Sequence, residues 1–232
     1  MLMERAERND LIRRNPVRYA EKLRKRPPQE KECFSLDEVN LLMEHLPQNR
    51  IGWSIRLLLA SGLRSQELLA LEPRHIAEDG SSITVNQAVT MVKGTAMVST
   101  PKSYDSYRTV ILPKKVRYCA IALRQTNAKF IWSVGRDDVP CNPSTFRKYY
   151  RQAITAVPEV RYLGAHNCRH TYVTTLQGLG VDMATIQSLV GHSSVLTTRH
   201  YLHVHPSVQA DAVDKLSAVL PDSPIEDVTA TS

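Results

Sequence analysis

The chain has 232 residues, with 30 Lys and Arg against 23 Asp and Glu, for a formal charge of +7. That length buries one good core, or a main domain with a small appendage, and the excess of cations favours a polyanionic partner such as nucleic acid without requiring one. The four cysteines, Cys33, Cys119, Cys141 and Cys168, form no C-x-x-C pair, no apolar run nears the roughly 20 residues of a membrane span, and the first residues lack the apolar centre of a signal peptide, so zinc-knuckle, disulfide-scaffold, membrane and secreted classes are disfavoured.

Residues 1–31 are dense in Arg and Lys and are broken by Pro16, Pro27 and Pro28; only their start has a helical pattern. They read as a helix remnant followed by a basic linker, which is either a solvated tail or a strap for DNA phosphates. The globular domain begins near Phe34. Ser35 and Glu38 make a capping box, and Leu36, Val39, Leu42, Met43 and Leu46 repeat at helical spacing. A second amphipathic helix over residues 53–60 stops at Gly62, and Ser65 is placed to cap a short third helix through Leu71.

From Ser82 the pattern changes to alternation: Ile83 and Val85, then residues 97–100, then residues 108–112, with turn residues at Gly80 and Gly94. Helical periodicity returns with Val116, Cys119, Ala120 and Leu123, and again after Asn142-Pro143, where asparagine caps and proline opens the helix. Helices over residues 166–179 and 182–190 follow, then a turn over residues 194–201 and a last amphipathic helix at residues 206–220. Residues 221–232 read as a disordered tail. The expected architecture is mainly α with a small three-stranded antiparallel sheet (α+β).

His166, Arg169 and His170 have i, i+3, i+4 spacing and share one helix face. Three cationic or protonatable groups side by side repel unless an anion or buried acceptors lie opposite, which points to a phosphate. The His166/His170 spacing also suits helical zinc ligands, and His200, His203 and His205 cluster in sequence, but the segment lacks the zinc-protease glutamate and sets Arg169 between the ligands. Arg64 follows the Gly62 break at a helix start, where free N–H groups favour anions. A helix-turn-helix reading explains Gly62 and Arg64 but leaves the histidines and Tyr201 without a role.

Together, the segments A-S-G-L-R-S-x-E-L (residues 60–68), H-x-x-R-H-T (residues 166–171), L-V-G-H-S-S (residues 189–194) and T-x-x-Y-x-H (residues 198–203) resemble the tyrosine recombinase, or phage integrase, family over residues 34–205. Tyr201 lies nine positions after His192. The resemblance implies a catalytic domain over residues 32–205, with the last helix, residues 206–220, docking on a neighbour or on its own domain. Residues 1–31 would be the end of a core-binding domain plus linker. It also implies that Arg64 and Arg169 clamp the phosphate, that Tyr201 is the nucleophile and that His166 and His192 are flanking imidazoles. Glu67 and His170 would orient the site, and Lys102 would be the sheet lysine, with Lys93 as its competitor. Asn167 and Cys168 depart from the Asp-Leu pair common in the motif and face the scaffold on this spacing.

The implied function is that of a site-specific DNA recombinase of a mobile element, cutting and rejoining strands through a 3′-phosphotyrosine without metal, ATP or other cofactor. Its partners would be double-stranded attachment sites, other protomers in a synaptic tetramer and DNA-bending accessory proteins, in the cytoplasm of a bacterial host. A type IB topoisomerase-like enzyme and a non-catalytic DNA-binding regulator are the alternatives.

Overall fold

The computed structural model describes residues 2–18, 32–99, 107–191 and 206–221. The chain divides into two compact units, Met1–Glu30 and Lys31–Ser232. The first contains helix α1 (Leu2–Arg8), which buries no residue, and a single 3-10 turn at Pro16–Arg18.

The second unit opens with α2 (Leu36–His45). Its capping box is complete: Ser35 Oγ accepts from the Glu38 N–H and the Glu38 carboxylate accepts from the Ser35 N–H. Helix α3 (Arg50–Ser61) begins earlier than the apolar pattern indicates, because Asn49 caps it by accepting the Gly52 N–H at 3.2 Å. It is the hub of the core. Ile55, Leu57, Leu58 and Ala60 are all buried, and the helix packs against α5 (Arg117–Arg124), α6 (Pro143–Thr155) and α7 (Ala165–Gly178).

Helix α3 also carries a fully buried cation. Arg56 donates from Nε to the Met43 carbonyl (2.9 Å), from Nη1 to that of Pro47 (3.2 Å) and from Nη2 to that of Leu46 (2.5 Å), so its guanidinium satisfies the open carbonyls at the end of α2. The close approach this needs explains Gly52: a Cβ there would lie 1.9 Å from the Pro47 carbonyl oxygen.

Helix α4 (Ser65–Ala70) follows the left-handed cap Gly62, whose φ is +64°. Ser65 is the first helical residue rather than the cap; Arg64 holds that place, and its N–H is taken by the Glu67 carboxylate at 2.8 Å. The free helix-start donor expected at Arg64 is therefore already occupied by a residue of the same short helix.

The mainly helical frame with small antiparallel pairing is as expected, and the strands differ in their arrangement from a single three-stranded sheet. Among the described residues, four strands form two antiparallel ladders: β1 (Ser82–Val85) pairs with β4 (Arg108–Ile111), and β2 (Ala88–Val92) pairs with β3 (Thr95–Ser99). Residues 88–92 escape the alternation rule because Thr90, Met91 and Val92 are all exposed, leaving no two-residue period to read. Their turn is Lys93-Gly94, both at positive φ, which suits a two-residue hairpin.

Helix α6 is capped by Asn142, with Pro143 at its first position, and α8 (Met183–Val190) is capped by Asp182 and ended by Gly191 in the left-handed region. The last helix, α9 (Pro206–Val219), packs on α7, α8 and β4 of its own unit, burying Ala212, Val213 and Leu216. Lys115 fixes its end by donating to the Leu220 carbonyl at 2.6 Å.

The Gly52 contact is backbone against backbone and no rotamer relieves it. Gly52→Ala should destabilise the second unit by about 3 kcal/mol or more, the upper range for overpacking. Urea unfolding followed by circular dichroism checks this; a loss below about 0.5 kcal/mol, the range of an inert surface change, would mean that residues 46–49 yield freely.

Candidate active site

Glu67 sits in the first turn of α4 with its side chain only 6% exposed, and four N–H groups converge on it. Oε1 accepts from Arg64 Nη1 (2.8 Å) and Arg108 Nη1 (3.1 Å); Oε2 accepts from the Arg64 backbone N–H (2.8 Å) and Arg108 Nη2 (2.8 Å). A carboxylate has about four acceptor directions, so this one is saturated. Burial by itself raises the Glu67 pKa, but the bonds and charge of Arg108, followed by the bonds of Arg64, outweigh it and hold the carboxyl below its usual range.

Arg169 approaches from α7. It is 2% exposed, and its Nη1 and Nη2 donate to the carbonyls of Gly62 (2.7 Å) and Val190 (2.6 Å). Gly62 caps the C-terminal end of α3 and Val190 is the last residue of α8. Arg169 thus sits at two negative helix ends, which satisfy its hydrogen bonds without neutralising its charge. Burial, then the charges of Arg64 and Arg108, push its pKa down to about 9, and it remains cationic at neutral pH.

Close packing holds the group together. A Cβ on Gly62 would come 2.7 Å from the Tyr172 ring, and one on Gly191 would come 2.9 Å from Arg108 Cδ. Both glycines also need positive φ, so two independent reasons exclude a side chain at each. Two guanidiniums therefore bind one carboxylate, and a third, that of Arg169, lies near enough to feel their charges, a local sum of +2 in a partly dry site. Arg64, with 35% of its side chain exposed against 7% for Arg108, is the more open of the two arginines on Glu67.

The expected sharing of a face by His166 and His170 is found: their rings meet edge to face with centroids 4.6 Å apart. Arg169, three residues on, turns instead into the core. Asn167 donates to the Glu32 carbonyl at 2.7 Å and Cys168 meets the Tyr150 hydroxyl at 3.3 Å, so both substituted motif positions face the scaffold. Lys93 occupies the β2–β3 turn. Lys102, His192 and Tyr201 lie outside the described residues.

Arg108 escaped the motif reading. Its signal was present: in β4, Arg108 and Val110 are two apart and share the face opposite Thr109, so an arginine stands where the pattern asks for an apolar residue. A charge on an inward strand face requires a buried partner, and Glu67 is that partner.

The Glu67 carboxylate gives a pH signature. Its folded-state pKa lies below the unfolded value near 4.3, so its stabilising contribution is complete above that value and disappears as pH falls through the folded one. Glu67→Gln should cost about 3 kcal/mol at pH 7, by leaving Arg108 buried without a counter-charge. The gap between mutant and wild type should close below about pH 4. Melting curves from pH 2 to 7 check this; a gap independent of pH would assign the loss to packing.

The phage integrase family profile matches residues 32–207 of this chain. Among curated relatives, the ICEBs1 integrase of Bacillus subtilis is 26% identical over 240 residues, covering 94% of this chain and 63% of that protein. A XerC-like tyrosine recombinase of Caldanaerobacter subterraneus is 27% identical over 212 residues, covering 80% of this chain and 54% of that protein. The chain therefore spans between about half and two thirds of the length of these relatives. Among solved structures, XerA recombinase superposes with a TM-score of 0.56 at 26% identity, covering 80% of this chain and 65% of that one. The Tn1549 transposon integrase, in complex with transposon right end DNA, shares the fold with a TM-score of 0.64 at 18% identity, covering 90% of this chain and 74% of that one. By its sequence across residues 32–207 and by its fold, this chain belongs to the phage integrase family of tyrosine recombinases.

Proposed function

We propose that this chain cuts and rejoins DNA at specific sites as the recombinase of a bacterial mobile element. What carries the proposal is that Arg64 and Arg108 share the one carboxylate of Glu67 while Arg169, held by backbone carbonyls, lies close enough to feel both cations, which leaves uncompensated positive charge where a phosphate would relieve it.

In this mechanism Arg64 meets the non-bridging oxygens of the scissile phosphate with its planar fork, and Arg169 adds a fixed cation behind it. Negative charge on those oxygens grows in the transition state, so both guanidiniums act more strongly there than on the bound substrate. Tyr201 is the nucleophile. A free phenol has a pKa of about 10 and is mostly protonated at neutral pH, so it needs the base His166 or the cationic surroundings to attack. The phosphorus–5′-oxygen bond breaks as the tyrosyl bond forms, Lys102 gives the departing oxygen its proton, and His192 donates to a phosphate oxygen. His170, with its ring against His166, orients that imidazole.

The 3′-phosphotyrosine keeps the bond energy for a 5′ hydroxyl of another strand to reverse the step, so no ATP is consumed. The partners are double-stranded attachment sites, further protomers in a tetramer and DNA-bending proteins. The place of action is the bacterial cytoplasm; the relatives are bacterial, and no described helix is long and apolar enough to cross a membrane.

A library of nicked duplexes of random sequence, in which the cleaved 5′ end diffuses away, traps the covalent intermediate. The wild type should give a protein–DNA adduct that survives denaturation, and Tyr201→Phe should give none. Arg64→Ala should slow adduct formation by about 100- to 1,000-fold, as for loss of one oxyanion-type donor. No adduct from the wild type would favour a DNA-binding regulator; an undiminished adduct from Tyr201→Phe would reject the nucleophile.

A further inference from the structure

We infer that Arg108 is a positioning residue of this site, acting on a bound phosphate through Glu67: it occupies one side of the carboxylate so that Arg64 is aligned by Glu67 without being consumed by it. The inference rests on the proposed reading of the Arg64–Arg169 cluster as a phosphate site.

Acceptor capacity and charge both give Arg108 this role. With Arg108 present, each Glu67 oxygen accepts one bond from Arg108 and one from Arg64, and the Arg64 side chain contributes only Nη1. Without Arg108 both oxygens regain an open direction in a buried place, and Arg64, already bound there through its backbone N–H and Nη1, has further guanidinium donors to turn onto them. A guanidinium drawn bidentately onto its own carboxylate has turned its fork from the ligand. The local charge also falls from +2 to +1, weakening the attraction at Arg64, whose side chain is 35% exposed.

Position 108 is built for this task. The side chain is 7% exposed, so it does not offer itself broadly to a ligand as Arg64 does. It leaves β4 on the buried face beside Val110, and the ladder places Val85 opposite it. Above it lies Gly191, which has no side chain and leaves room for the guanidinium. Arg108 therefore joins three separate pieces of the chain: strand β4, the start of α4 and the end of α8. Only a planar fork fits two parallel bonds to Glu67; a lysine would keep the charge and lose one of them.

Inorganic phosphate tests the idea without requiring DNA cleavage. Its affinity is measured by calorimetric titration for the wild type, Arg108→Met, Arg108→Lys and the double variant Glu67→Gln/Arg108→Met, with circular dichroism melts to establish that each is folded. Arg108→Met should weaken phosphate binding about 10-fold or more, the scale of one hydrogen bond to a charged group. Arg108→Lys should recover part of the loss. The double variant removes the buried pair together, restores the local charge to +2 and leaves Arg64 an uncharged acceptor, so its affinity should return to within about 3-fold of the wild type.

A folded Arg108→Met that binds phosphate as the wild type does would overturn the inference. So would a double variant as weak as Arg108→Met, since Arg108 would then be acting on the anion itself. If Arg108→Met fails to fold, the double variant and Arg108→Lys decide: the expected values support the role, and equal weakness in both overturns it. A wild type that takes no phosphate also overturns it. One that binds phosphate with the predicted pattern yet forms no covalent DNA adduct would sink the recombinase reading and leave the role of Arg108 standing.

Discussion

A single buried carboxylate makes the site possible. Three guanidiniums within reach of one another, two of them almost wholly buried, would repel in a medium that screens poorly. Glu67 offsets part of that repulsion with four hydrogen bonds and ties α4 to β4 in doing so. It stops short of neutrality, and the residual charge is what an anion would meet.

Arg169 shows the complementary device. Its partners are carbonyls at the ends of α3 and α8, which satisfy hydrogen bonds and offer the negative pole of two helices while leaving a full positive charge. Arg56 uses the same device at the end of α2, inside the core and away from any carboxylate pairing. The fold thus employs buried arginines as helix-end caps. At Arg169 that structural habit coincides with the need to hold a cation in a fixed place. Each guanidinium already has its scaffold partners, so its position does not wait on a ligand.

Most of the helical frame could be read directly from local chemistry: the Ser35–Glu38 box, the Gly62 stop and the Asn142-Pro143 start are each found where side-chain chemistry places them. Strand β2 could not, because its partner β3 leaves one face to solvent and its exposed residues include Met91 and Val92. The role of Arg64 as its helix's cap was obscured by Ser65, a better cap by type, since the deciding bond comes from Glu67 inside the helix. Within the arginine–glutamate cluster and the adjoining histidine pair, Arg64, Glu67, His166, Arg169 and His170 stood out in the sequence because they fall in short motifs with helical spacing. Arg108 was not, because its partner lies 41 positions away and only the tertiary fold brings the two together.

An oxyanion site at this cluster is tested by where an oxyanion settles. Diffraction from crystals soaked in orthovanadate, a tetrahedral mimic of phosphate, should place its oxygens about 3 Å from the Arg64 guanidinium and on the side facing Arg169. An anion bound elsewhere on the protein, with Arg64 turned away from Arg169, would contradict the account.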